Sequence, residues 1–524
     1  MFSSVQRKCI SSPLKVKSEG QAKVQAMISP SLKEFLALSQ QGNFIPVYQE
    51  WVADLETPVS AWYRVCAGRP YNFLLESVEG GEQVARYSFL GCDPLWVLQV
   101  RGDQALQIHR DGHREQHQGD PFAVLARCLQ PYEPVHLPEL PSSIGGLFGY
   151  WGYELIRWIE PKVPIHPLQP GDPPDAILMQ VDSILIFDQV KRKIWVVAFA
   201  DTRQQPAEQA YAQACRRVEQ LVQQLSAPLS LAHLSLDWKP QLPDAIPPST
   251  LSRAAYCQAV EQAKAYIRAG EIFQVVLSQR FTTPFAGDPF RLYRSLRLIN
   301  PSPYMAFFQF GDLCLVGSSP EVMVKLTRIG EERIATVRPI AGTRPRGATP
   351  AQDRQLEQEL LADPKERAEH VMLVDLARND LGRVCRLGSV QVDDLMQIER
   401  YSHVMHIVSN VVGQLDPRYS AWDLLRATFP AGTVTGAPKI RAMQIIHELE
   451  GCRRGPYAGA YGYYDFAGQL NTAITIRTLL VQGDQVSIQA GAGIVADSDP
   501  EREYQECLNK ARGMLMAVAS LQKE

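Results

Sequence analysis

Apolar positions along this chain follow two rhythms, a period near two and a period near 3.6, and they alternate over most of its length. From about residue 30 to 200, short runs rich in Val, Ile, Phe and Trp are punctuated by Gly, which predicts strands. Segments 72–76 and 144–150 are of this kind. Segments 176–187 and 193–200 predict a β-hairpin that turns at the polar stretch 188–192. Helical spacing follows over 207–225, where Ala210, Ala214, Val218 and Leu221 share one face. The proline-rich stretch 226–249 has no period and reads as a linker. Beyond it, 251–269 predicts an amphipathic helix stopped by Gly270, and 272–281 the strand after it. The expected organisation is an N-terminal region over 30–225, the linker, and a motif-rich region over 250–520.

Composition narrows the function classes. A chain of 524 residues with a formal net charge of -3 offers no basic stripe for nucleic acid. No apolar run is long enough to cross a bilayer; residues 184–187 are soon interrupted by Asp188 and Lys191. The ten cysteines form no CxxC pair and no dense scaffold, as expected of reduced thiols in a cytoplasmic protein. Residues 1–28 differ: Ser-rich and basic, with a second Met at position 27, they read as a disordered leader or a mis-assigned start. A transit peptide in the first 26 residues would direct the protein to a plastid instead.

Three blocks carry chemistry. The first is Pro339-Ile340-Ala341-Gly342-Thr343-Arg344-Pro345-Arg346-Gly347, and the second runs from Asp363 through Glu366 and Glu369 to Asp380. The third joins Gly491-Ala492-Gly493 to Glu503, Glu506 and Lys510. Glu366 and Glu369 lie one turn apart on a predicted helix. Ser498 is the expected cap of a second helix starting near Pro500, along which Glu503, Glu506 and Lys510 form one stripe. Taken alone, such acids describe a solvated face as readily as a metal site. Two look-alikes fail. Residues 491–496 fit a loose dinucleotide fingerprint but open no helix, and 432–439 lack Walker spacing, reading as a substrate-side loop into a helix over 439–450.

The three blocks together resemble the chorismate-utilising enzymes, most closely the large, synthase subunits of anthranilate synthases, over nearly the whole chain from about residue 27. That resemblance implies an α+β fold of packed β-sheets flanked by helices, with the active site in a cleft. It implies Mg2+ at Glu369 and Glu506, bridging to the ring carboxylate of chorismate, a role that hard oxygen donors suit. Arg477, Lys510, Tyr457 and a glycine turn at Gly491, Ala492 and Gly493 would grip the enolpyruvyl carboxylate. Gly342 and Thr343 would contact the substrate from the other side. Glu321 matches the general acid, and His406 a histidine for later proton removal. A zinc pair of His403 with His406 is disfavoured, since strand residues three apart face opposite ways.

Two positions separate the reactions of that family. Gln274 stands where water-activating relatives carry Lys, and a neutral amide is no base. Ala341 stands where many aminodeoxychorismate synthases carry a nucleophilic Lys. Ammonia attacking ring carbon 2 remains, giving anthranilate and pyruvate. No cysteine sits in a Gly-x-Cys-x-Gly elbow, so ammonia would come from a separate glutamine amidotransferase subunit, in an expected heterotetramer. The resemblance also implies a tryptophan feedback pocket built from Ser77, Pro303, Tyr304 and Met305, with Arg86 in place of a family lysine. The competing readings are an aminodeoxychorismate synthase that lacks the Lys, and a non-catalytic tryptophan sensor.

Overall fold

Residues 28–78, 86–229, 235–237, 246–401 and 404–521 are described by the computed structural model. His403, most of the proposed linker and all but the last residue of the expected leader lie outside them. Strand propensity is realised in two large antiparallel sheets, of eleven and twelve strands among the described residues. Each sheet is shared between the halves of the chain. In the first, the N-terminal strand Tyr71–Glu76 pairs with Tyr304–Phe310, Glu76 opposite Met305. In the second, Gly146–Trp151 pairs with Ala460–Asp465. Gly149 and Gly462 face each other at that seam. A Cβ on Gly149 would stand 2.0 Å from the Ile177 carbonyl oxygen, and one on Gly462 2.2 Å from that of Asn471, so each of these strands closes on its neighbour away from the seam only because a glycine stands there.

The sheets pack face to face over a layer rich in aromatic rings, including Phe44, Phe73, Phe148, Phe199, Phe308 and Tyr461. Helices cover the outer faces. Ala207–Ser226 buries Ala210, Ala214, Val218, Leu221 and Leu225, the face predicted from its spacing. Arg253–Arg268 follows, and Gly270 beyond it adopts a positive φ of 77°. Among the described residues no helix is long and apolar enough to cross a membrane.

Three local expectations are corrected. The hairpin is made by Ser183–Asp188 and Lys193–Asp201 alone. Ala176–Gln180 belongs to the other sheet, so the chain crosses between layers at Val181 and Asp182. The helix Pro500–Ala519 is capped by Asp499, whose side chain accepts from the Arg502 N–H. The Ser498 hydroxyl instead accepts from the Val495 N–H at 3.1 Å. Gly491 and Gly493 form no turn: they lie inside the strand Gln485–Ile494, paired with Gln274–Pro284.

Candidate active site

A cavity of about 770 Å³ opens where the strands Gln274–Pro284, Ile340–Pro345 and Gln485–Ile494 meet the helices Pro364–Gly382 and Pro500–Ala519. It brings together Glu321, Gly342, Thr343, Glu369, His406, Tyr457, Arg477, Gly491, Gly493, Glu506 and Lys510. Ala492 is the exception among the candidates: strand alternation buries its methyl in the outer core behind the sheet. The flanking glycines leave the backbone bare. A Cβ on Gly491 would meet the Tyr457 hydroxyl at 3.0 Å, and one on Gly493 the Gln274 amide at 2.7 Å.

Glu321 follows the strand Leu313–Ser319 and is 7% exposed. Burial raises its carboxyl to about 8; a backbone hydrogen bond from Ile340 and the charge of Arg477 oppose that rise only in part. The Thr433 hydroxyl stands beside it and also draws it down. That oxygen is buried and completes no hydrogen bond of normal geometry with the protein. Arg477 sits in the left-handed region at φ 50°, and burial lowers its guanidinium.

His406 lies on the strand Val404–Gln414. Its Nδ1 meets the Gly342 carbonyl at 3.0 Å and the Thr343 hydroxyl at 3.1 Å. A carbonyl can only accept, so Nδ1 carries the proton and Nε2 is the basic nitrogen. Burial, reinforced by Arg477, lowers the pKa of the ring. Gly342 needs its φ of 73° for this contact, and a Cβ there would crowd Glu366 and Leu360 at 3.1 Å.

The acids gather on the helical wall. Asp363 caps Pro364–Gly382, which points Glu366 and Glu369 into the cavity. Burial raises Glu369, and the Glu366 charge adds to this. The Gln274 amide donates to Glu369 at 3.2 Å, and the Gln274 carbonyl oxygen is buried without a partner. Across the cavity, burial raises Glu503, with Glu506 beside it. Lys510 pairs with Glu506 at 2.8 Å and donates to the Gly491 carbonyl at 3.1 Å. Carboxylates gathered on a cavity wall suit a divalent cation; Glu369 and Glu503 are partly buried, and Glu506, paired with Lys510, is half exposed. Among the described residues no three His, Cys, Asp or Glu side chains converge into a ready cage. Two carboxylates completed by water and a ligand oxygen is a donor set that fits magnesium.

Four of the five candidate inhibitor residues, Ser77, Pro303, Tyr304 and Met305, flank the first sheet's seam. Ser77 follows Tyr71–Glu76, and the next residue, Val78, donates to the Ser302 carbonyl at 3.2 Å. Pro303 and Tyr304 line a cavity of about 350 Å³ with Pro320, Ile340 and Tyr401. Met305 points the other way, into the helix-side core, so only one of these neighbouring side chains faces the space between the sheets. Arg86 is committed to Asp188 at 3.0 Å and lies over the Tyr87 ring.

Residues 72–516 match the chorismate binding enzyme family. The chain is 64% identical over 507 residues to anthranilate synthase component 1 of Synechocystis sp., covering 94% of this chain and all of that one. To the protein of the same name from Pseudomonas putida it is 46% identical, over 93% of this chain and 98% of that one. Among solved structures, anthranilate synthase component I from Streptococcus pneumoniae superposes with a TM-score of 0.73 at 36% identity, over 89% of this chain and 99% of that one.

Proposed function

The chain belongs to the chorismate binding enzyme family, and we propose that within it the protein is the synthase subunit of an anthranilate synthase, a lyase that turns chorismate and ammonia into anthranilate and pyruvate. Glu369 and Glu506 would hold magnesium, which supplies a charge for the ring carboxylate. Arg477 and Lys510 would hold the second carboxylate, Arg477 through its planar fork and Lys510 as a point charge. The bare backbone of Gly491 and Gly493 lets that group approach, and Tyr457, Gly342 and Thr343 border it.

Hydroxide leaves ring carbon 4 only when protonated. A carboxylic acid that stays neutral at pH 7 is the group for that proton, and Glu321 has that property. His406, held through Nδ1 on the Gly342 carbonyl, keeps Nε2 for removing the ring proton as pyruvate departs. The observation that carries the choice of reaction is the pair Gln274 and Ala341. Both line the cavity, and neither can activate water or attack carbon 2. Ammonia is then the nucleophile. The name component 1 on the relatives supports a second component, a glutamine amidotransferase that delivers the ammonia, and the assembly is read as a heterotetramer. The residues at the seam, Ser77 with Pro303 and Tyr304, are read as the tryptophan feedback pocket of this first step of tryptophan synthesis.

Purified protein given chorismate, magnesium and ammonium at alkaline pH should develop anthranilate fluorescence without any partner. Accumulation of an amino-deoxychorismate instead would make it an enzyme of the other amination. Tryptophan binding with no chorismate turnover would make it a sensor.

A further inference from the structure

Behind the cavity lies a buried ion pair to which the chemistry above gives no part. Glu450 ends the helix Lys439–Glu450, and Gly451 turns the chain in the left-handed region, which brings Arg454 back onto it. Arg454 is 2% exposed and Glu450 4%. The guanidinium donates to Glu450 through Nε at 2.9 Å and Nη2 at 2.6 Å. Its other bonds leave the pair: Nη1 to the Val434 carbonyl at 2.7 Å and Nη2 to the Val276 carbonyl at 2.8 Å. Glu450 accepts in turn from the Ser278 N–H at 2.7 Å and its hydroxyl at 2.8 Å, and that hydroxyl accepts from the Gln489 amide at 3.0 Å. The Tyr457 ring centre is 5.5 Å from the guanidinium carbon.

Two buried charges cost desolvation that two apolar side chains of the same volume would not, so stability alone does not account for them. What the pair supplies is a fixed junction. Val276, Val434 and Gln489 line the cavity, and Arg454 and Glu450 do not. Ser278 is the ladder partner of Gly491. Val434 follows Thr433, whose hydroxyl stands at Glu321, and the Val276 N–H donates to Thr435 at 2.8 Å. One guanidinium therefore ties the loop that carries Thr433 to the strand that backs Gly491, with the Tyr457 ring against it.

We propose that Arg454, held by Glu450, is a positioning residue for this active site: its fork sets the loop 432–435 against the strand Gln274–Pro284, and so places Thr433 at Glu321 and Tyr457 at the opposite wall. This rests on the function proposed above. A displacement of about 1 Å at such a site costs about a hundredfold in turnover, and it does so in kcat more than in KM when substrate contacts survive.

The test compares the wild type with Arg454→Lys, which keeps the charge and loses the fork, and with the double change Arg454→Met, Glu450→Leu, which removes both charges. Each is assayed for anthranilate formation with saturating ammonium and for its unfolding midpoint. The double variant leaves the Val276 and Val434 carbonyls and the Ser278 N–H without these partners, so it should unfold below the wild-type temperature, with kcat lowered at least tenfold and KM for chorismate moved less than threefold. Arg454→Lys should fall between. A double variant that turns over within twofold of the wild type overturns the inference, because packing alone would then suffice. Should the double variant not fold, Arg454→Lys decides alone: a folded protein within twofold of wild-type kcat overturns it, and a folded protein at least tenfold slower supports it. A wild type that forms no anthranilate is a different outcome and removes the functional reading itself.

Discussion

Replacing Glu321 by Gln separates titration from packing, because the amide keeps the shape of the side chain and loses its proton equilibrium. The carboxyl is raised from 4.5 to about 8 by burial. The unfolded chain therefore releases this proton near 4.5 and the folded chain near 8. The stabilising contribution is fully present below the lower value and is lost as pH rises through the higher one. Between pH 5 and pH 8 the loss is about 3 kcal/mol. Gln carries no such loss, so the variant should gain on the wild type by about 3 kcal/mol over that range. With an unfolding entropy of about 2 cal/mol/K per residue, this is roughly 3 °C in Tm for a chain of this length. Activity moves the other way. At pH 7 roughly nine in ten wild-type molecules hold the proton, and the variant holds none, so kcat should drop by about 10²- to 10⁴-fold. Wild-type kcat should also fall as pH rises through about 8. Anthranilate fluorescence from pH 6 to 9 and thermal melts from pH 5 to 8 supply both readings. A Tm difference that stays flat across pH, or a variant within tenfold of wild-type turnover, refutes the assignment of Glu321 as a neutral buried acid.

The other predictions concern the rest of the site. Glu369→Ala and Glu506→Ala should each raise the magnesium needed for half-maximal turnover at least about tenfold and shrink the magnesium-dependent rise in Tm; an unchanged titration would take those residues out of the ion's shell. Gln274→Lys puts a base where the amide now meets Glu369, and without ammonium it should yield a hydroxylated product detectable by chromatography. If the only change is slower anthranilate formation, the argument from that position fails. Ser77→Leu replaces a hydroxyl at the seam by an isopropyl group, an insertion worth about 1–3 kcal/mol, so the tryptophan giving half-inhibition should rise about 5- to 100-fold. Turnover without tryptophan should stay within twofold, and parallel loss of both would mean a folding defect instead of a pocket.

How much of this could be read in the chain depended on how local each signal was. The helices Ala207–Ser226 and Lys439–Glu450 lie where periodicity and the preceding loop put them. Buried strands gave less away. Ala176–Gln180 and Ser183–Asp188 are buried at every position, so no alternation marked the crossing between them and they read as one arm. Gly491 and Gly493 looked like a turn because glycine favours turns. Their use here is to bare a strand beside a cavity, which only the pairing with Val276 and Ser278 reveals. Glu321, Glu369 and His406 sit in recognisable motifs. Thr433 had no such motif; its loop was legible as a substrate-side loop, without any residue in it being singled out. Arg454 is invisible to any local rule, since its partners other than Glu450 are 20 and 178 residues away.

The seams would couple the proposed feedback segments to the proposed catalytic acid. Ser77 and Tyr304 are joined only because Tyr71–Glu76 completes a sheet begun by the other half of the chain. From there the path to chemistry is short. The Tyr461 hydroxyl donates to the Tyr304 carbonyl at 2.6 Å and accepts from the Ser319 N–H at 3.0 Å. Ser319 begins the turn that carries Glu321, and its hydroxyl accepts from the Glu321 N–H at 3.4 Å. A ligand that shifts the backbone at Tyr304 must stretch these bonds or move the turn with it, and a closely packed interior around Tyr461 resists partial adjustment. Tyr461 itself stands on the strand that faces Gly146–Trp151 at the second seam. Among the described residues, removing the N-terminal half would take five strands from each sheet and loosen Tyr461, which connects the proposed inhibitor pocket to the proposed acid.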